Sequence, residues 1–120
     1  IIFNIDRNRL WQICMNLLTN AVKHTKKGHI WFGYTLEAEE KMIKFYVSDT
    51  GCGIPKDELD NIFARFVQLS DFEQGVGLGL AICKGLVLKM GGNISVISEE
   101  GFGSTFIFTL PMKRPNSWKN

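Results

Sequence analysis

Apolar residues recur every three or four positions near the start of the chain, and this spacing predicts a helix from Asp6 to Thr25. Its apolar stripe consists of Leu10, Ile13, Cys14, Leu17, Leu18 and Ala21. Asp6 is expected to cap the helix and Gly28 to end the segment. Four polar residues fall in one narrow sector beside the stripe: Gln12, Asn16, Asn20 and Lys23. The predicted helix therefore carries a polar line at the edge of its buried face.

Alternation of apolar and polar residues predicts two β-hairpins further along the chain. The first has apolar positions at Ile30, Phe32, Tyr34 and Leu36, a turn at 37–41, and apolar positions at Ile43, Phe45 and Val47. The second has Ile94 and Val96, a turn at 99–103, and Phe106, Phe108 and Leu110. Between the hairpins we expect a short helix at 55–63 with Pro55 near its start, a loop at 67–74, and a nearly all-apolar helix ending at Met90.

This order of elements predicts an α+β two-layer sandwich, in which a mixed, mainly antiparallel sheet is covered by helices on one face. One domain is expected over residues 1–111, with a polar tail or linker at 112–120. Since the chain does not start with Met, we expect it to be part of a longer protein.

The composition is that of a soluble folded unit. The 120 residues are 45% apolar with a formal net charge of +2, which disfavours disorder and gives no basic excess for a nucleic-acid partner. The three cysteines are widely spaced, which suits a reducing compartment better than a disulfide scaffold. The longest apolar stretch is interrupted by Lys84 and Lys89 and is shorter than the roughly 20 residues that a membrane span needs. We therefore expect no membrane contact by this domain.

Asp49 is the most informative single position. It continues the alternation of Ile43, Phe45 and Val47, so a carboxylate is expected on the face that carries the core residues. One interpretation is that Asp49 accepts hydrogen bonds from backbone N–H groups of the following turn. The other is that it accepts a hydrogen bond from the exocyclic amine of a base, which Gly51 and Gly53 allow to approach the backbone.

The polar line on the first helix offers a second group of ligands. A solvated helix edge would explain it, but Asn16 and Asn20 are poor helix formers, so a use for their amide oxygens is worth proposing. An amide oxygen suits one position in a Mg²⁺ shell that phosphate and water otherwise fill. Lys23, one turn away, can meet a phosphate as a point charge.

Glycines mark two further sites. Gly75, Gly77 and Gly79 precede or open the second long helix, where free amides make an anion site, although tight packing would also require small residues there. Gly101 and Gly103 flank the last predicted turn, before Ser104. The first group is neither a phosphate loop nor a dinucleotide fingerprint, because no Lys-Ser/Thr pair follows it and no strand precedes it.

Taken together, these segments closely resemble the ATP-binding catalytic domain of two-component sensor histidine kinases, within the superfamily of gyrase, MutL and Hsp90-type chaperones. The resemblance runs from about Asp6 to Pro111 and covers five motifs in family order. They are the N box at 16–25, the G1 box at 49–55, the F box at 62–66, the G2 box at 75–80 and a third glycine box at 101–106. The resemblance to this family implies a Bergerat-type ATP-binding fold.

The resemblance also implies a role for each matching residue. Asp49 would read the adenine amine, with Gly51, Gly53 and Ile54 beside it, and Ser104 or Thr105 would support the base through water. Asn20 would bind Mg²⁺, and Asn16 and Lys23 would lie near the phosphates. The loop at 67–74 would be a lid over ATP that ends in the backbone of Gly75, Gly77, Leu78, Gly79 and Leu80. Arg65 would contact the lid or a helical partner domain.

The implied function is donation of the γ-phosphoryl group of Mg-ATP to a histidine on a separate helical dimerisation domain, with a response-regulator receiver domain as a further partner and a cytoplasmic location. Hydrolases of the superfamily place a Glu at the position of Asn16, and Asn cannot serve as that base. Two alternatives remain: a nucleotide-gated interaction module without phosphotransfer, and an anti-sigma-factor-like serine kinase. His24 and His29 are not expected to accept phosphate.

Overall fold

The computed structural model describes residues 5–63 and 74–112, with residues 74–78 described by their backbone alone. Three helices and four strands follow one another along these ranges. They are α1 (Arg7–His24), β1 (Ile30–Glu37), β2 (Met42–Asp49), α2 (Lys56–Leu59), α3 (Gln74–Lys89), β3 (Asn93–Glu99) and β4 (Gly103–Pro111). Arg65, most of the expected lid and residues 113–120 of the tail lie outside the described residues.

The first helix forms as predicted. Asp6 caps it by accepting a hydrogen bond from the Arg9 N–H at 3.1 Å, which satisfies one of the free donors of the first turn. The helix ends at His24, and Gly28 follows in the connection to β1 with a φ of +131°. Ile13, Leu17 and Ala21 from the predicted stripe are buried.

The four described strands form one sheet in the order β1-β2-β4-β3, and each of its pairings is antiparallel. Both predicted hairpins are present, since β1 pairs with β2 and β3 pairs with β4. The pairing of β2 with β4 joins the two hairpins at the centre of the sheet. The α+β two-layer prediction is confirmed.

The core lies between the two long helices and one face of the central strands. It contains Ile43, Phe45 and Val47 of β2 and Phe106, Phe108 and Leu110 of β4. From the helices it contains Ile13, Leu17 and Ala21 of α1 and Leu80, Cys83 and Val87 of α3. Phe45 and Phe108 stack across β2 and β4 with ring centroids 4.8 Å apart, which fixes the register of this pair.

The core-side face of β1 is largely exposed, which the sequence pattern did not predict. Phe32 and Tyr34 lie on the same face as Val47 and Phe45, yet they are 48% and 62% exposed. The helices explain this, because α1 and α3 contact each other closely and lie over β2, β3 and β4. The alternation correctly shows which face of β1 is apolar, but it does not show that the described helices leave that face open.

No helix in the described part of the chain is both long enough and apolar enough to cross a membrane.

Candidate functional site

Asp49 ends β2 with its carboxylate on the buried face of the sheet. It follows Ile43, Phe45 and Val47 in the alternation of the strand, and its side chain is 6% exposed. Its Oδ1 accepts a hydrogen bond from the Gly51 N–H at 2.8 Å. The local backbone interpretation is therefore correct for one carboxylate oxygen, and Oδ2 receives no hydrogen bond from the described residues.

Ser104 lies directly opposite Asp49 on β4 and is also buried. Its hydroxyl belongs to a network around Ser98, a residue that the sequence analysis did not single out. Ser98 Oγ accepts from the Ile54 N–H at 2.8 Å and donates to the Gly103 carbonyl oxygen at 2.9 Å. Because a serine hydroxyl has one proton, the 2.8 Å contact between Ser98 and Ser104 uses the proton of Ser104. Ser104 Oγ therefore keeps its acceptor capacity beside Asp49.

Thr105 lies on the other face of the sheet. Its Oγ1 is 2.8 Å from Oγ of Ser48, its cross-strand partner, and both residues are partly exposed. Successive residues of a strand point to opposite faces, so Thr105 faces away from Asp49 while Ser104 faces the same way. Of the two hydroxyls that the sequence left open, only that of Ser104 is on the side of the carboxylate.

A cavity of about 190 Å³ lies where α1, α2 and α3 meet the sheet. Its walls are mostly apolar, and they are formed by Asn20, His24, Cys52, Gly53, Ile54, Pro55, Glu58, Ile62, Leu80 and Phe106. Four sequence-predicted site residues, Asn20, Gly53, Ile54 and Leu80, are thus brought together. Complete ligand sites usually enclose roughly 300 to 1,000 Å³, so this cavity is the size of one part of a ligand.

Asn20 carries the clearest sign of a missing interaction in this cavity. The residue is 5% exposed, and its Oδ1 is buried without a hydrogen-bond partner among the described residues. Leaving a buried acceptor unpaired costs about 1 to 3 kcal/mol, which is why such atoms are few in native structures. Asn20 thus lines the cavity, and the amide oxygen that the sequence predicts to be a hard ligand is buried and unpaired among the described residues.

Lys23 contributes to a second, more open pocket of about 580 Å³ that adjoins the cavity. This pocket is lined by Lys23, His24, Lys26, Lys27, Thr50, Gly51 and Cys52. His24 and Cys52 line both spaces. Both linings are mostly apolar, and the second pocket in addition carries three lysines, so the two together offer a surface for a ligand with one apolar and one anionic end.

Asn16 lies between α1 and α3, away from both pockets. A Cβ built on Gly79 would be 3.7 Å from the Asn16 Cγ, an ordinary van der Waals contact, so Gly79 and the Asn16 amide are neighbours and a small side chain would also fit there. Asn16 is half-buried and also acts on the buried thiol of Cys83, where it partly offsets the rise in pKa that burial causes. The structure brings Asn16 next to the G2 box but not to Lys23.

The glycines of the G1 box have a structural explanation within the chain. A Cβ on Gly51 would overlap the His24 carbonyl, and a Cβ on Gly53, whose φ is +75°, would overlap the Glu99 carbonyl. These two positions therefore require glycine because the turn packs against the end of α1 and the β3–β4 turn. The predicted approach of a ring to Gly51 and Gly53 stays a prediction.

The G2 box opens α3 at its N-terminal end. Gly75, Gly77 and Leu78 belong to the first turns of this helix, followed by Gly79 and Leu80. The first amides of a helix have no partner within it, so the backbone here has the donors that an anion site needs. Arg65 and residues 67–73 of the predicted lid lie outside the described part of the chain.

Within the described residues, no cluster of three or more His, Cys, Asp or Glu side chains could hold a metal ion. A divalent cation held by one amide oxygen and by oxygens that the ligand supplies remains compatible with this donor set. The unpartnered Oδ1 of Asn20 fits that requirement, since Mg²⁺ is commonly bound by one or two protein oxygens together with phosphates and water.

The chain matches known proteins over nearly its whole length. Residues 5–114 match the family described as histidine kinase-, DNA gyrase B- and HSP90-like ATPase. The aerobic respiration control sensor protein ArcB of Escherichia coli (strain K12) is 46% identical over 110 residues, which are 88% of this chain and 14% of ArcB. The chain spans between 6% and 29% of the length of the curated relatives that it matches.

Solved structures of histidine kinases resemble the fold of this chain. Full-length ShkA in complex with AMPPNP superimposes with a TM-score of 0.82 at 36% identity, over 94% of this chain and 23% of that one. The nucleotide-free catalytic domain of histidine kinase ThkA has a TM-score of 0.77 at 32% identity, over 90% of this chain and 69% of that one. The chain therefore belongs to the histidine kinase-, DNA gyrase B- and HSP90-like ATPase family, and its relatives within that family are histidine kinase catalytic domains.

Proposed function

We propose that the chain binds Mg-ATP and donates its γ-phosphoryl group to a histidine on a separate helical domain of the same signalling protein. One observation carries the proposal: Asn20, whose buried amide oxygen has no partner in the described part of the chain, lies in the wall of an apolar cavity that adjoins a pocket with three lysines. The relatives named above are sensor and histidine kinases, which supports this reaction over others of the family.

The polar groups at the end of β2 favour adenine. Asp49 Oδ2 and Ser104 Oγ are both acceptors, because the Ser104 proton is used by Ser98. Adenine carries an amine that can donate to such a pair, directly or through a water, whereas guanine has a carbonyl oxygen at that position and would leave the buried acceptors unpaired. The apolar side chains of Ile54, Leu80 and Phe106 in the cavity suit the faces of a flat ring.

The phosphates extend from the cavity toward charged and metal-binding groups. Lys23, exposed on the last turn of α1, supplies a positive charge in the adjoining pocket, and the opening turn of α3 supplies backbone donors. Asn20 would hold Mg²⁺, which when bound neutralises charge on the phosphate oxygens. These residues position the nucleotide and stabilise charge, which is most of what phosphoryl transfer requires from a protein.

Transfer rather than hydrolysis is supported by Asn16. An amide cannot take a proton from water, and Asn16 is half-buried beside Gly79 on α3. In the proposed reaction a ring nitrogen of the acceptor histidine attacks the γ-phosphorus, the bond from that phosphorus to the β,γ-bridging oxygen breaks, and ADP leaves. A response-regulator receiver domain is the proposed next acceptor.

Calorimetry with ADP and GDP in the presence of Mg²⁺ tests nucleotide binding. We expect the chain to prefer ADP, and Asp49→Ala to weaken ADP binding by roughly tenfold or more because a charge-assisted hydrogen bond is lost. Glu39→Ala, which removes an exposed carboxylate at the opposite end of the β1–β2 hairpin, is the matched control and should bind normally. Unchanged ADP affinity in Asp49→Ala contradicts the assignment.

Radiolabelled ATP tests the phosphotransfer step. The chain alone is expected to bind ATP, hydrolyse it very slowly, and take no label on His24 or His29. Adding the histidine-bearing helical hairpin of the parent protein should produce weak labelling of that hairpin, since the effective concentration given by a covalent tether is absent. ATP binding with no labelling of the hairpin would favour a nucleotide-gated interaction module, and labelling of a serine would favour a serine kinase.

A further inference from the structure

Cys52 lines both the apolar cavity and the lysine-lined pocket, and so lies at the boundary between them. Its backbone is fixed from two sides. The Cys52 N–H donates to the His24 carbonyl at 3.1 Å, and the Cys52 carbonyl accepts from the Gly101 N–H at 2.7 Å. The residues on either side are glycines, so no neighbouring side chain in the turn covers the exposed thiol.

The other two cysteines provide an internal comparison. Cys14 is half-buried and Cys83 is buried, and burial raises the pKa of both thiols, that of Cys83 to about 12. The thiolate is the reactive form of cysteine, so limited access from solvent and protonation of the thiol both keep these two residues unreactive. Cys52 is the exposed one of the three.

An exposed thiol alone would not indicate a ligand, but Asn20, which is only 5% exposed, lines the same cavity, and its buried Oδ1 has no hydrogen-bond partner among the described residues. This second observation indicates that the space beside Cys52 is built to be occupied. Lys23, Lys26 and Lys27 line the pocket on the other side of the thiol, and lysines attract anionic reagents from solution. Among the described residues that line the two spaces, Glu58 carries the only carboxylate, and it lines the apolar cavity.

We propose that Cys52 is a thiol-modification site for small anionic disulfides of the glutathione type, and that its modification and nucleotide binding exclude each other. The exclusion rests on the proposed function, because an adduct on Cys52 would fill the space between Asn20 and Lys23 that the nucleotide is proposed to cross. By thermodynamic linkage, a nucleotide that the adduct excludes must in turn protect the thiol.

The reaction is a thiol–disulfide exchange. Cys52 releases its proton to solvent, and its sulfur attacks one sulfur of the disulfide. A new bond joins Cys52 to that half, the original bond between the two sulfurs breaks, and the other half leaves as a thiolate that takes up a proton. Cys52 is oxidised and the leaving half is reduced, so the disulfide itself is the only oxidant. A thiol reductant reverses the exchange.

The main test treats the reduced chain with glutathione disulfide and follows the adduct by intact mass and peptide mapping. We expect one adduct, on Cys52, that forms roughly tenfold more slowly when Mg-ADP is present at ten times its Kd. The modified chain should lose ADP binding in calorimetry and regain it after dithiothreitol. Cys52→Ser should form no adduct, and its ADP affinity should be unchanged by the treatment, whereas Cys14→Ser should react like the original chain.

Two outcomes overturn the inference even if ADP binds normally: an adduct that forms at the same rate with saturating ADP, or a modified chain with unchanged ADP affinity.

A chain that never binds ADP instead contradicts the proposed function. In that case the preference for anionic reagents still tests the site. The rate of each reagent with Cys52 is divided by its rate with free cysteine. On this scale we expect the anionic 5,5′-dithiobis(2-nitrobenzoate) to react faster than the cationic cystamine. The double variant Lys26→Gln, Lys27→Gln should reduce this preference. Equal relative rates would contradict the charge argument.

Discussion

Asp49 and Ser104 are direct cross-strand partners on β2 and β4, and both side chains lie on the buried face of the sheet. The register that pairs them continues the pairing of Val47 with Phe106 and of Phe45 with Phe108. The position of the two polar groups is therefore set by the packing of the core. A slip of either strand by one residue would move the polar group of that strand to the opposite face of the sheet.

The two neighbouring hydroxyls of β4 give the first prediction. Ser104→Ala should weaken adenine-nucleotide binding several-fold, since one neutral hydrogen bond contributes about 0.5 to 1.5 kcal/mol. Thr105→Ala, one residue further along the strand, removes a hydroxyl on the opposite face and should leave the affinity unchanged. Calorimetry with ADP compares the two. Equal losses in both variants would mean that the effect comes from strand stability and not from the base.

The second prediction concerns the metal. Asn20→Ala should remove most of the gain in ATP affinity that Mg²⁺ provides, roughly tenfold, while affinity measured in EDTA changes little. The reason is that the buried Oδ1, which is proposed to hold the cation, has no partner in the described residues. Gln12→Ala, at an exposed position two turns earlier on α1, is the control. Equal loss with and without Mg²⁺ would identify Asn20 as a structural residue.

A third prediction follows from the β3–β4 turn. Gly101 and Gly103 both have a positive φ, +89° and +135°, so alanine is strained at either position. A Cβ on Gly101 meets open space, whereas a Cβ on Gly103 would overlap the Asp49 carbonyl oxygen. Gly103→Ala should therefore lower the free energy of unfolding more than Gly101→Ala does, and it alone should weaken ADP binding. Urea denaturation and calorimetry measure the two effects, and equal destabilisation with normal binding would contradict the expectation.

The fourth prediction uses the buried thiol of Cys83. Burial raises its pKa from 9.0 to about 12 in the folded chain, so the folded state holds the thiol proton more tightly than the unfolded state does. The associated stability is complete below about pH 9 and is lost as the pH rises toward 12, by at most about 1.4 kcal/mol per pH unit. Cys83→Ala removes this contribution, at the cost of a small cavity. Thermal unfolding should be measured from about pH 8 to about pH 11, a range that covers most of this titration. The melting temperature of Cys83→Ala should fall less steeply with rising pH than that of the original chain. Parallel declines in the two proteins would show that Cys83 does not titrate in this way.

Several parts of the fold could be predicted because the periodicity is local and strong. The stripe of α1 and the alternation that ends at Asp49 gave the buried positions of both elements, and the structure agrees with them. The exposed face of β1 could not be predicted in the same way. Phe32 and Tyr34 follow the alternation of a buried strand, but whether a helix covers them depends on how α1 and α3 lie over the sheet, which no local pattern encodes.

The candidate site was predicted residue by residue from motifs, and the structure adds the connections between them. Ser98 was missed because a serine on a strand has no distinctive neighbours in sequence, and its role comes from Ile54 and Ser104, which long-range pairing brings to it. The sequence also suggested only that Gly51 and Gly53 let a ring approach the backbone, because a local pattern does not show what packs against these positions. The overlap of a Cβ on Gly51 or Gly53 with backbone carbonyls shows that packing alone demands these glycines.

The two backbone hydrogen bonds of Cys52 have a consequence for the order of folding events. They join the end of α1, the turn after β2 and the β3–β4 turn, which are far apart in the chain. Contacts between distant segments form after local ones, because a long loop must close first. We expect the helical signal in a refolding experiment to recover before the chain can capture a fluorescent adenine nucleotide, and simultaneous recovery of the two would contradict this. Nucleotide capture would then report the closing of the last long loop, and so distinguish a completed fold from a collapsed chain that already contains its helices.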